Sequence, residues 1–272
     1  MLSPKRRLLL PQIVHWLQGE SAVCSAVLFG SQARTVTRPD SWADFDLHLI
    51  TTAPERLAEV DWELALPETT FCAKAMRSGS AGVNKLTVVF AGGQIDLVLV
   101  PHARVVRLRR AMKLGWHGNH STVSHALNEM ATCLWSGYRF LKGEAQWGEF
   151  YSRVALEMPG VRLSNEEVIK LADTYLCDFL WILQKIDRGE LAAAQHALHC
   201  RLSETNFRLF RERRLRHGER LSSFGLGRHL ETLLPQSELE SLRVNARANK
   251  GDLRRAAWAS FGGIRSLMSE LT

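Results

Sequence analysis

Apolar residues in the first hundred positions fall into short runs with strand character, and beyond them they recur at helical spacing. Ala22–Phe29, Phe45–Ile50, Lys85–Phe90 and Gln94–Val100 are β-rich and bounded by turn residues. Ala91-Gly92-Gly93 between the last two predicts a hairpin. Near the start, Pro11 belongs to the first turn of a predicted helix whose Ile13, Val14 and Leu17 face inward. After Pro101 the strand signals stop. Ser121–Leu141 is apolar at helical spacing, and Ser164 with Glu167 forms a capping box opening a helix to about Asp187. A helix from Glu190 to about Arg216 follows. Ser237 with Glu240 repeats the capping pattern after Pro235, and a last helix is predicted from about Asp252 to Met268. The pattern predicts an α+β chain. A mixed-sheet domain with flanking helices covers residues 1–114, and an α-helical bundle domain covers 115–272.

Composition narrows the class. Of 272 residues, 46% are hydrophobic and 23% charged, which fits an ordinary globular protein and excludes disordered, collagen-like and disulfide-scaffold chains. The formal charge of +7 is local. Arg104, Arg107, Arg109, Arg110 and Lys113 form one patch without an acid, and Arg201–Arg220 holds seven arginines against Glu204, Glu212 and Glu219. The remainder is slightly acidic, so a nucleic-acid partner is not expected. No apolar run approaches the roughly 20 residues of a membrane span. The basic-then-apolar start is too short for a signal peptide and lacks a small-residue cleavage site. Five widely spaced cysteines without a C-x-x-C predict reduced thiols in a cytoplasm.

The chemistry concentrates in two segments. An apolar strand runs into Gly30-Ser31, and Asp44-Phe45-Asp46 follows on the next strand. A strand period of two puts Asp44 and Asp46 on one face, where two carboxylates repel unless a cation lies between them. A hard divalent ion with oxygen ligands is the natural partner. Gly30 lets backbone approach a phosphate, and Ser31 with the N–H groups of a helix start can bond it. Asp96 lies in the apolar run Ile95-Asp96-Leu97-Val98-Leu99, where an aspartate is costly unless paired or metal-bound. Taken alone, Gly30-Ser31 is a plain tight turn. The three carboxylates together point to chemistry.

These residues resemble the motif of the DNA polymerase β-type nucleotidyltransferase superfamily, and within it the aminoglycoside 6-adenylyltransferases that modify streptomycin. Val89-Phe90-Ala91-Gly92-Gly93-Gln94-Ile95-Asp96 through Pro101 is similar to that family's third-carboxylate strand. Cys177-Asp178-Phe179-Leu180-Trp181, Arg188-Gly189-Glu190-Leu191 and Gly227-Arg228-His229-Leu230 to Leu234-Pro235 resemble its helical half. The resemblance implies a nucleotidyltransferase sheet domain followed by a helical bundle. It implies an enzyme that moves AMP from ATP to a drug hydroxyl, releases pyrophosphate and confers antibiotic resistance in the cytoplasm. Asp44 and Asp46 would hold Mg²⁺, with Asp96 as a third ligand or a base. Gly30, Ser31 and Arg34 would bind nucleotide, as would Lys185 and Arg188. Asp178 would be the general base, with Asp173 as the alternative. The chain departs from the family where Gln32-Ala33 delay the arginine after Gly-Ser, and where Trp116, His117 and His120 follow the basic segment.

Other readings stay open. The acceptor can be a lincosamide, or a protein or tRNA end reached through the basic patches. A non-enzymatic alternative is a silent nucleotide-binding module. Acidic stretches at Glu55–Glu68 and Ser164–Glu190 can line a pocket for a cationic drug, and Trp42 and Trp62 can wall it. His117 with His120, and His196 with His199 and Cys200, lack the paired spacing of a zinc site, so surface or structural roles are expected. Arg201–Arg220 reads mainly as an amphipathic helix with a charged face.

Overall fold

The computed structural model describes residues 4–34, 43–78, 82–118, 121–220, 236, 242 and 246–272. The expectations at Trp42, His120, Gly227–Leu230, Leu234-Pro235 and Ser237 with Glu240 lie outside these residues. Alternating side chains shape the first unit. Its strands are β1 (Val23–Phe29), β2 (Phe45–Thr51), β3 (Phe71–Ser78), β4 (Asn84–Phe90), β5 (Gly93–Pro101) and β6 (Tyr138–Lys142). They form one sheet in the order β3-β4-β5-β2-β1-β6. β2 and β5 run parallel and the other neighbours antiparallel, so the sheet is mixed as expected.

One face carries Leu28, Leu47, Leu49, Leu86, Val88, Leu97 and Leu99. It is covered by α1 (Pro4–Gly19) through Ile13 and Leu17, and by α2 (Pro54–Ala58) and α3 (Trp62–Ala65) through Leu57 and Trp62. Trp62 packs against Trp16 and Phe90, with ring centroids 5.1 and 6.3 Å away, so it is core and not a pocket wall. The other face presents Val27, Ile50 and Val100 to α4 (His102–Lys113), α5 (Ser121–Leu134) and α6 (Glu144–Glu157). Both faces must be covered because each would otherwise expose a continuous apolar surface.

That need places the division of the chain. The first compact unit spans residues 1–161, so the expected boundary at 114/115 falls inside it. α5 and α6 supply Leu127, Trp147 and Tyr151 to the second face, and β6 extends the sheet beside β1. The helix expected to reach Leu141 ends at Leu134. From β6, Lys142 Nζ donates to the Leu17 and Glu20 carbonyls at 2.7 and 2.9 Å, capping the C-terminal end of α1.

The second unit, residues 162–272, is helical where described. α7 (Asn165–Asp187) opens on the expected capping box, with Ser164 and Glu167 bonded reciprocally. The helix expected after Glu190 is present as α8 (Leu191–Ala197), a π-helical turn (Leu198–Leu202) and α9 (Ser203–Arg216). α10 (Lys250–Leu271) is capped by Asn249. Inside, Tyr175 donates to Ser260 Oγ at 2.7 Å and Asn206 Nδ2 donates to the same oxygen at 2.9 Å, tying α7, α9 and α10 together. Arg201, Arg213, Arg214 and Arg216 pair with Asp178, Glu270, Glu219 and Glu212. The second basic patch is thus largely neutralised within its own unit. Among the described residues, no helix is long and apolar enough to cross a membrane.

Candidate active site

The turn after β1 and the starts of β2 and β5 converge on one sheet face. The parallel register sets Asp46 opposite Asp96, and the antiparallel register sets Phe29 opposite Asp46. Asp44 lies two residues before Asp46 on the same side. One carboxylate oxygen from each of Asp44, Asp46 and Asp96 lies within 4.8 Å of the others. Among the described residues no other His, Cys, Asp or Glu group is gathered this way, and His196 with Cys200 makes only a 3.7 Å contact.

The surroundings bear on what this group can hold. Asp96 is 3% exposed. Its Oδ1 accepts from Thr87 Oγ1 at 2.7 Å and from Gln94 Nε2 at 3.1 Å, and its Oδ2 faces Lys85 Nζ at 2.6 Å. Asp44 Oδ1 and Ser31 Oγ are buried and make no hydrogen bond among the described residues. An all-oxygen donor set with a buried unbonded carboxylate oxygen fits a hard divalent cation.

Gly30-Ser31 forms a 3-10 turn, Gly30–Ala33, and not the start of a longer helix. The orphan N–H groups of one short turn replace the helix terminus expected from the sequence. Gln32 Nε2 donates to the Ala43 carbonyl at 3.0 Å and ties the turn to the start of β2. Arg34 follows the turn directly. At Gly137, before β6, a Cβ would come within 2.5 Å of the Ala33 carbonyl oxygen, so the backbone there supports the turn closely.

Gly30 has φ +70°, and a Cβ on it would meet Asp46 Oδ2 at 2.4 Å. Gly115 has φ +72° with nothing within 4 Å of the corresponding Cβ. Gly115→Ala therefore measures the left-handed conformation alone, at about 1 kcal/mol. Gly30→Ala is expected to cost at least about 1 kcal/mol more, because the carboxylate must also move. Urea midpoints of the two variants check the difference.

Behind Asp46, on the same face of β2, His48 Nδ1 and Tyr151 Oη share a hydrogen bond. Burial pushes His48 from 6.5 down to about 4, so it is neutral in the folded chain at pH 7. The unfolded chain takes up that proton below about pH 6.5 and the folded chain only near 4. Stability is therefore fully present above 6.5 and falls as pH drops through this window, by up to about 3 kcal/mol. Urea midpoints at pH 7.5 and 4.5 should show the fall, and His48→Gln should flatten it. Nearby on α5, burial pushes the Cys133 thiol up to about 12, with the charges of Glu129 and Asp46 adding to the effect. That thiol is chemically quiet.

The remaining expected residues lie on or just after α7 of the second unit. Asp173 and Arg188 are exposed. Asp178 Oδ1 accepts from Arg201 at 2.8 Å. Lys185 pairs with Glu190 and lies 5.1 Å from the Trp181 ring centroid, with Arg201 5.2 Å from the same centroid. The acids of Glu55–Glu68 sit around α2 and α3, which cover the sheet face opposite the aspartates, so they do not line this site. Sequence reasoning missed Lys85, Thr87 and Gln94. A signal for them existed: with Ala91-Gly92 as a two-residue loop, hairpin register sets Thr87 opposite Asp96.

No protein-family model matches the chain, and no curated protein matches it. Several solved structures are similar to it, among them the following two at low identity. One is an aminoglycoside 6-adenyltransferase from Bacillus subtilis, 11% identical, with 99% of this chain and 90% of that chain covered at a TM-score of 0.42. The other is a nucleotidyltransferase-like protein from Exiguobacterium sibiricum, 10% identical, with 96% and 74% covered at a TM-score of 0.33.

Proposed function

We propose that the chain is a metal-dependent nucleotidyltransferase that moves AMP from ATP to a hydroxyl of a streptomycin-like aminoglycoside and releases pyrophosphate. The meeting of Asp44, Asp46 and Asp96 within 4.8 Å on one sheet face carries the reading. Clustered carboxylates on a strand destabilise the fold unless a cation is to be held there. Asp44 and Asp46 would hold Mg²⁺, with Asp96 beside them. When bound, Mg²⁺ supplies charge neutralisation and orientation of the triphosphate.

The chain's own groups do the rest. Gly30 keeps the turn clear of Asp46, so backbone and triphosphate can approach closely. Ser31 Oγ, buried and without a hydrogen bond among the described residues, would donate to a phosphate oxygen. Arg34 follows on the same turn as a further anion contact, and Lys185 and Arg188 are proposed for the same role from the second unit. The acceptor hydroxyl oxygen forms a bond to the α-phosphorus as the bond to pyrophosphate breaks. Its proton passes to a carboxylate, for which Asp178 is proposed, with Asp173 and Asp96 as the alternatives. Positioning and electrostatics provide most of the rate. The six acids against three cations over Ser164–Glu190 suit a cationic acceptor.

The test incubates the pure chain with MgCl₂, α-labelled ATP and, in parallel, streptomycin, lincomycin or tRNA. Label on streptomycin with equimolar pyrophosphate is the expected result. Label on lincomycin or tRNA alone would replace the acceptor and keep the reaction. Neither label nor pyrophosphate with any acceptor, with ATP or the other nucleoside triphosphates, would end the reading.

A further inference from the structure

Lys85 has no part in the chemistry above, yet it reaches into the carboxylate group from β4. Its Nζ is 2.6 Å from Asp96 Oδ2 and 4.0 Å from Asp46 Oδ1, and its side chain is 26% exposed. The strand period places it on the same face as Thr87, which holds the other oxygen of Asp96. Asp96 thus has three donors around it: two bond Oδ1 and an ammonium faces Oδ2. Asp44 differs, with one buried oxygen that has no hydrogen-bond partner among the described residues. Three carboxylates and one ammonium leave a net negative group, with Lys85 lodged between Asp46 and Asp96.

We infer that Lys85 is the site's built-in counter-ion: it occupies the position between Asp46 and Asp96 that a cation would otherwise take, and so limits the protein alone to one weakly held divalent ion at Asp44 and Asp46. This rests on the metal-site reading above. Lys85 acts through Asp96 and Asp46 and is a positioning residue. Its charge keeps the carboxylates together without metal and competes directly with metal for the same oxygens. A flexible four-carbon stem lets the ammonium withdraw when a stronger cation arrives.

Calorimetric titration with MnCl₂ in the absence of nucleotide tests this, alongside thermal unfolding in EDTA and in Mn²⁺. The wild type is expected to bind one Mn²⁺ per chain. Lys85→Met is expected to bind Mn²⁺ about tenfold more tightly, because an opposing charge within 4 Å is gone. It should also unfold at a lower temperature in EDTA and recover in Mn²⁺. Lys85→Gln keeps a donor without the charge, should tighten binding equally, and serves if the methionine variant does not fold. Lys85→Arg should match the wild type. Equal or weaker Mn²⁺ binding in both neutral variants, with binding still lost in Asp44→Asn, would overturn the counter-ion role alone. No Mn²⁺ binding by wild type and neutral variants alike would overturn the metal site and the inference with it.

Discussion

Asp46→Asn is expected to lower nucleotidyl transfer by about 10³-fold while leaving the melting temperature within a few degrees. Asp46 stands at the meeting point of three elements. Phe29 of β1 is opposite it on one side, Asp96 of β5 on the other, and Gly30 packs against its Oδ2. Asparagine has the same shape and keeps one acceptor oxygen, so these packing relations survive. What it loses is the charge that would hold a divalent ion. A ligated metal contributes several kcal/mol to stabilising the transition state, and about 1.4 kcal/mol is tenfold in rate. Pyrophosphate release measured for both proteins at saturating Mg²⁺ checks the number. A residual rate within about threefold of wild type would remove Asp46 from the metal site.

The largest expected loss of stability is at Arg216. Its Nε donates to Glu212 Oε1 at 3.0 Å, and its other nitrogens donate to the carbonyls of Leu271 at 2.8 Å and Leu163 at 3.3 Å. Glu212 is 1% exposed, and its second oxygen accepts from the Leu163 N–H at 2.8 Å. One charged pair on α9 thus fastens both the segment leading into α7 and the last turn of α10. Arg216→Met leaves a buried carboxylate without its hydrogen-bonded cation, with the charge of Arg211 still nearby, and is expected to cost about 3 kcal/mol. Glu212→Gln combined with Arg216→Met should recover part of that, since the buried carboxylate charge is gone. Urea unfolding followed by circular dichroism separates the cases. Equal losses in the single and double variants would show that the hydrogen bonds to Leu163 and Leu271, not the charge, hold the end of the bundle.

How much of this was legible depended on where a strand sits in the sheet. β1, β2, β4 and β5 are central or second from the edge, and burial forces apolar residues onto them, so their runs stand out in the sequence. β3 and β6 are the two edges. Nearly all of Phe71–Ser78 is exposed, and Tyr138–Lys142 is half-buried beside an exposed Arg139, so neither needs a strong alternation. Missing β6 also moved the expected end of the first unit forward to 114, because without a strand there the stretch after Pro101 reads as one helical region. The aspartates could be placed because strand periodicity alone puts Asp44 and Asp46 on one side. Lys85 could be placed only by working the hairpin register through, which sets Thr87 opposite Asp96 and Lys85 one step diagonal to it, and His48 is an ordinary strand histidine until α6 brings Tyr151 to it. The charge pattern of Arg201–Arg220 is answered close to home: Arg213 reaches Glu270 on α10, while Arg214 and Arg216 pair with Glu219 and Glu212 nearby in sequence.

The loop Ala91-Gly92 has a consequence for how this site can vary. It contains two residues, and that count sets Thr87 against Asp96 and Val88 against Ile95. Side chains alternate, so a shift of one position would present Ile95 or Leu97 to Lys85 and turn Asp96 into the leucine-rich face beneath. A shift of two would restore the facing and exchange Asp96 for Gln94 or Val98. The third carboxylate therefore answers to parity: odd changes in the pairing of β4 with β5 invert the chemistry of the face, and even ones only relocate it.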